Sequence, residues 1–89
     1  MINIEINKKE NIITVTGHDD NICNIVSEIL SYNEYLVKYN PYIIVSRENG
    51  CSVFNYGKNL GVLEQYLYNT FKQYLYYLAN FYKINIKEN

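Results

Sequence analysis

Thr14-Val15-Thr16-Gly17-His18-Asp19-Asp20-Asn21-Ile22-Cys23-Asn24-Ile25-Val26-Ser27 is where the chain changes its period, and the reading of the fold turns on it. Ile12 to Thr16 are β-branched throughout, which predicts a strand. Gly17 ends it, because a residue without Cβ suits a sharp change of direction. From Asp20 onward the apolar residues Ile22, Ile25, Val26 and Ile29, with Leu36 or its neighbours, recur at helical spacing. The spacing predicts a helix from about Asp20 to Asn33, with Asp19 or Asp20 accepting hydrogen bonds from the free amides of its first turn.

Upstream, Ile2, Ile4 and Ile6 alternate with Asn3, Glu5 and Asn7, the pattern of a strand with one buried face. The polar run from Asn7 to Asn11 makes a hairpin the simplest connection to the next strand, whose Ile13 and Val15 share the core face. Downstream, Tyr32 to Asn40 fits either more helix or an irregular connection, and Pro41 sets a break. Tyr42–Arg47 and Cys51–Tyr56 then flank Glu48-Asn49-Gly50, and Asn-Gly is the strongest short-range hairpin signal because both residues tolerate positive φ. Leu60, Leu63, Leu67, Phe71, Tyr74 or Leu75, Leu78 and Phe81 predict a long second helix, and Lys83 to Lys87 alternates as a last short strand. The order strand-strand-helix-strand-strand-helix-strand is an α+β arrangement, a mostly antiparallel sheet carrying two helices on one face of a single domain, residues 1–89.

With 89 residues, 48% of them apolar, the chain can bury a core with little margin of stability. The formal charge is −1 and the lysines are scattered, so no basic face of the kind that neutralises phosphates is present, and nucleic acid is not an expected ligand. The N-terminus lacks a basic leader and a continuous apolar segment, so neither export nor membrane insertion is expected. A cytoplasmic location follows, where Cys23 and Cys51 stay reduced. Eleven tyrosines are more aromatic surface than one sheet covers. Tyr66, Tyr68, Tyr76 and Tyr77, off the apolar stripe of the second helix, fit either a subunit contact or wet tyrosine tips.

The junction holds the only histidine and one of the two cysteines. If Asp20 caps the helix, Cys23 lies in its first turn, where free amides and the helix dipole favour a thiolate. His18, delivered by the incoming strand, is placed to take the thiol proton and to return it to a leaving amine. The same amides are placed for an oxyanion. Ser27 follows Cys23 by one helical turn and can hydrogen-bond within such a site. The plainer reading stands beside this one. A cysteine among Ile22, Ile25 and Val26 suits a core, a histidine after a strand suits solvent, Asp20 suits a cap, and the Ser27 hydroxyl suits a backbone carbonyl one turn earlier. A zinc site from His18, Cys23, Cys51 and an aspartate lacks the Cys-x-x-Cys or paired-histidine spacing that would support it, so no metal is expected. Cys51 reads as a packing residue beside a hairpin turn.

Gly17-His18 followed by Asp20-Asn21-Ile22-Cys23-Asn24-Ile25-Val26-Ser27 resembles the ribosomal-processing cysteine protease (Prp) family, whose members carry a strand ending in Gly-His and an Asp-x-Val-Cys-Ala-x-x-Ser signature opening the first helix. The likeness continues through a hairpin turning at a glycine (Asn49-Gly50), a long helix (Leu60 to Phe81) and a closing strand (Ile84-Asn85-Ile86). The resemblance implies Cys23 as nucleophile, His18 as its base, and Asp20 and Ser27 in support. It also implies a homodimer with no metal or organic cofactor, and a peptide substrate, in the family the N-terminal extension of a large-subunit ribosomal protein precursor. Two departures bear on substrate more than on fold. Only Asp19, Asp20, Asn21 and Ile22 separate His18 from Cys23, where the family has a longer, glycine-containing loop, and Asn24 replaces a small residue. Two functions therefore compete: a cysteine endopeptidase, and a catalytically inactive dimeric module that binds a protein partner through the same fold.

Overall fold

The computed structural model describes residues 2–17, 23–38, 40, 43–48 and 51–89. Its elements run β1 (Ile2–Asn7), β2 (Ile12–Gly17), α1 (Cys23–Val37), β3 (Ile44–Glu48), β4 (Cys51–Asn55), α2 (Val62–Ala79) and β5 (Ile84–Glu88), the α+β order expected from the periodicities. The five strands form one sheet in the order β3-β4-β2-β1-β5. Three of its four pairings are antiparallel, and β5 runs parallel to β1 with Ile2 beside Ile84.

Alternation decides which face of the sheet is covered. Ile2, Ile4 and Ile6 of β1, Ile13 and Val15 of β2 and Phe54 of β4 are all buried, and the register puts Ile6, Ile13 and Phe54 in one row. Both helices pack on that face and contribute Ile29 from α1 and Leu67, Phe71, Leu75 and Leu78 from α2. Phe54 meets Phe71 edge to face, with ring centroids 4.9 Å apart, and Tyr32 of α1 stacks on Tyr74 of α2 at 3.8 Å. The opposite face carries Asn3, Glu5, Thr14, Thr16 and Val53 and, among the described residues, has no helix against it.

The turn between β1 and β2 is held by two asparagines. Asn7 Oδ1 accepts from the backbone amides of Lys9 and Glu10, each at 3.1 Å. Asn11 sits at φ 55°, a left-handed conformation that asparagine adopts more easily than other side-chain-bearing residues. Its Nδ2 donates to the Gly57 carbonyl at 2.8 Å and its own carbonyl accepts from the Tyr56 amide at 3.0 Å, so this turn is tied to the exit of β4.

Helix boundaries differ from the sequence expectation in instructive ways. α1 continues to Val37, which resolves the open segment after Tyr32 as helix. Asn33 extends its buried stripe one turn beyond Ile29 and is itself fully buried. In α2, Leu63 and Phe81 were expected inward and are exposed, whereas Tyr68 was expected outward and is buried. At about 100° per residue the centre of the buried stripe lies about 60° from Tyr68 but about 80° from Leu63 and Phe81, and Phe81 also falls beyond the last helical residue.

Tyrosine burial sets an alkaline limit. Burial, with Tyr68 beside it, pushes the Tyr56 hydroxyl far above its ordinary value, and burial together with Glu28 pushes Tyr74 up to about 12. Tyrosines of an unfolded chain ionise near pH ~10. The unfolded chain therefore releases these protons first, so stability is intact below that pH and falls as the pH rises toward the folded values. Urea midpoints measured from pH 8 upward are expected to drop beyond pH ~10, and less steeply in Tyr56→Phe. An equal slope in the two proteins would contradict this assignment.

Candidate functional site

β2 is described to Gly17 and α1 from Cys23, and the sequence between them runs from His18 to Ile22. His18, Asp20 and the side chain of Cys23 lie outside the described residues. Ser27 is described and is exposed on α1, one turn beyond Cys23. The strand end that carries this junction is well anchored. Gly17 pairs with Ile2, Thr16 pairs with Cys51, and Cys51 pairs in turn with Glu48 across the two-residue connection of β3 and β4. The Ile2 amide also donates to the Lys83 carbonyl at 3.3 Å. Backbone from four strands and the segment leading into β5 thus meets at the end of the sheet where His18 begins.

Cys51 is half-buried, with Sγ 3.2 Å from Thr16 Oγ1. Strand alternation places Thr16 on the face opposite Val15, so Cys51 and Thr16 lie on the side of the sheet without helices, while Cys23 opens a helix on the other side. This agrees with a packing role for Cys51. Among the described residues no group of three or more histidine, cysteine, aspartate or glutamate side chains is arranged to hold a metal ion.

A shallow cleft of about 280 Å³ lies between α2 and β5, lined by Asn69, Lys72, Gln73, Tyr76 and Glu88. Lys72 Nζ and Glu88 Oε1 are 2.8 Å apart there. The Lys72 ammonium, then hydrogen bonding from Tyr76, hold the Glu88 carboxyl below its ordinary value, and a closed ion pair of this kind offers neither a nucleophile nor a free base. Glu88 is in register with Ile6, whereas Gly17 is in register with Ile2, so cleft and junction occupy opposite ends of the sheet.

One buried polar group was not anticipated. Asn33, on the core side of α1, accepts a short hydrogen bond from the Tyr56 hydroxyl, and Tyr56 packs against Tyr68 at 5.3 Å. The signal was present in the sequence. Asn33 falls four residues after Ile29 and three before Leu36, on the apolar stripe, where an asparagine needs a partner.

The chain matches no family model and no curated protein. Among the described residues, no helix is long and apolar enough to cross a membrane.

Proposed function

We propose that the protein is a cysteine endopeptidase, with Cys23 as nucleophile, His18 as general base and then acid, and Asp20 and Ser27 in support. The observation that supports this reading is a strand described to Gly17 and a helix described from Cys23, the two elements whose connecting sequence opens with His18. Free amides at a helix start favour a sulfur anion and, later, a carbonyl oxyanion. In the reaction the Cys23 sulfur bonds to the peptide carbonyl carbon and the tetrahedral intermediate collapses with loss of the C–N bond. The leaving nitrogen takes the proton that His18 received from the thiol. Water, deprotonated by His18, then attacks the thioester and releases the acid and the free thiol. The substrate is an extended protein segment, and a ribosomal protein precursor with an N-terminal extension is the first to try. The site works in the cytosol, where Cys23 remains reduced.

Two measurements test this. Mixed with such a precursor from the same host, the protein is expected to make one defined N-terminal cut that Cys23→Ala does not make. Peptide-level mass spectrometry after iodoacetamide treatment at pH 7 is expected to show Cys23 modified well before Cys51. His18→Ala should slow the Cys23 reaction by about tenfold or more and leave Cys51 unchanged. The reading fails if Cys23 labels no faster than Cys51 and does not respond to His18→Ala. Fast, His18-dependent labelling without a cut would retain the thiol chemistry and reject the ribosomal substrate.

A further inference from the structure

β3 forms one edge of the sheet. Among the described residues it pairs with β4 alone, and no strand lies on its outer side. Two residues connect Glu48 to Cys51, so these two form the hydrogen-bonded closing pair of the hairpin, and the pairs Ser46 with Val53 and Ile44 with Asn55 repeat it along the ladder. Val45 and Arg47 fall between those pairs. Their amides and carbonyls point away from β4 and have no backbone partner among the described residues. Sheets commonly guard such an edge with lysine, proline, a bulge or a covering helix. The other edge is guarded in this way, because β5 carries Lys87 and Glu88, and Glu88 is tied to Lys72 of α2 at 2.8 Å. β3 holds neither lysine nor proline, and Ile44 and Val45 stay 61% and 42% exposed on opposite sides of the sheet. Arg47 shares a row with the buried Ser52 and Val15, so its side chain leaves on the side that bears the helices. It is exposed there and forms no ion pair with a described residue.

We infer that the β3 edge takes an extended segment of another protein as an added antiparallel strand, and that Arg47 selects a segment reading acidic-x-apolar-apolar. Because the added strand runs opposite to β3, its acidic residue comes first and lies beside Arg47. The third and fourth residues then lie beside Val45 and Ile44, each against an exposed aliphatic side chain, and the second faces Ser46. The first and third residues exchange backbone hydrogen bonds with Arg47 and Val45. Those bonds supply the affinity, and the side chains choose the segment. A polypeptide is the ligand that offers amides and carbonyls at this repeat. Charge argues against a second copy of β3 as the occupant. In antiparallel registers that pair both outward residues within positions 43–47, Arg47 meets Ile43 or Val45, an ion pair in neither. The inference does not rest on the chemistry at Cys23, since a strand can dock at β3 whether or not it is then cut.

Amide-resolved NMR of the isotope-labelled full chain tests it. The probe is an acetylated and amidated octapeptide containing Glu-Thr-Val-Ile, titrated to about 2 mM. The Val45 and Arg47 amides are expected to shift on titration while those of β5 stay in place. N-methylation of the peptide valine, whose amide faces β3, is expected to weaken binding by about tenfold or more, and N-methylation of its threonine, whose amide faces away, is expected to leave it. Arg47→Glu should weaken the Glu peptide by about threefold or more and prefer the same peptide with lysine in place of glutamate. Four results would overturn the inference: no shift at the highest concentration, shifts centred away from β3, equal effects of the two N-methyl groups, or indifference to the Arg47→Glu exchange. Shifts of the same amides on concentrating the protein without peptide would also overturn it, by giving the edge to a second copy.

Discussion

Phe71→Ala is expected to lower the unfolding free energy by about 3–5 kcal/mol, the range for removing a large aromatic side chain from a packed interior. Phe71 has no exposed surface and lies where α2 crosses the sheet. Its ring meets Phe54 at 4.9 Å and lies 6.4 Å from Tyr56, so truncation leaves a hole bounded by a strand on one side and aromatic rings on the other. Collapse into it would require α2 to shift toward the sheet, which the Tyr32–Tyr74 stack and the Lys72–Glu88 pair resist. A domain of this length has a total stability of about 4–13 kcal/mol, so the substitution removes a large share and can leave the variant partly unfolded at 37 °C. Urea denaturation followed by circular dichroism gives the number. Phe71→Leu, which keeps most of the volume, should cost well under half as much. A loss below about 1 kcal/mol for the alanine variant would mean that the Phe54–Phe71 contact is not the centre of the core.

The second large effect concerns the buried hydrogen bond between Tyr56 and Asn33. Tyr56→Phe removes the donor to Asn33 Oδ1, and Asn33 Nδ2 has no partner among the described residues, so the amide would be left buried with neither group satisfied. The expected cost is about 1–3 kcal/mol. Asn33→Leu should cost a similar amount by orphaning the Tyr56 hydroxyl. The double variant replaces both polar groups with apolar ones of comparable volume and is expected to be far less destabilised than the sum of the single changes. Additive costs in this cycle would show that the two side chains do not depend on each other. The Tyr68 hydroxyl, also buried with no partner among the described residues, stays in place throughout and serves as an internal constant.

Much of this architecture is legible in the residues, and what is not has identifiable causes. The alternation of Ile2, Ile4 and Ile6, and of Ile13 and Val15, states which side chains are buried, because a strand with one covered face has only two ways to sit. Asn49-Gly50 places the second hairpin, and the register duly sets Glu48 against Cys51. No local pattern could announce that β5 lies parallel to β1, since the period of Lys83 to Lys87 describes one strand and says nothing of its partner. The end of α1 was obscured by Asn33, a polar residue on an apolar stripe, whose reason is Tyr56, distant in sequence. At the candidate site the residue types and their order could be read directly, and the structure adds the strand described to Gly17 and the helix described from Cys23. The cleft between α2 and β5 had no motif, because it arises from a helix and a terminal strand brought together only by folding.

The parallel seam between β1 and β5 also bears on how the protein is made. β1 emerges from the ribosome ahead of β5, and the stretch from Ile2 to Ile84 that separates their starts takes about 4–16 s at ~5–20 residues per second. Throughout that time one side of β1 presents unmatched backbone amides and carbonyls beside Ile2, Ile4 and Ile6, a combination that invites pairing with a neighbouring nascent chain. Molecules interrupted before β5 would keep that hazard permanently, so premature termination should yield aggregates rather than a smaller soluble protein.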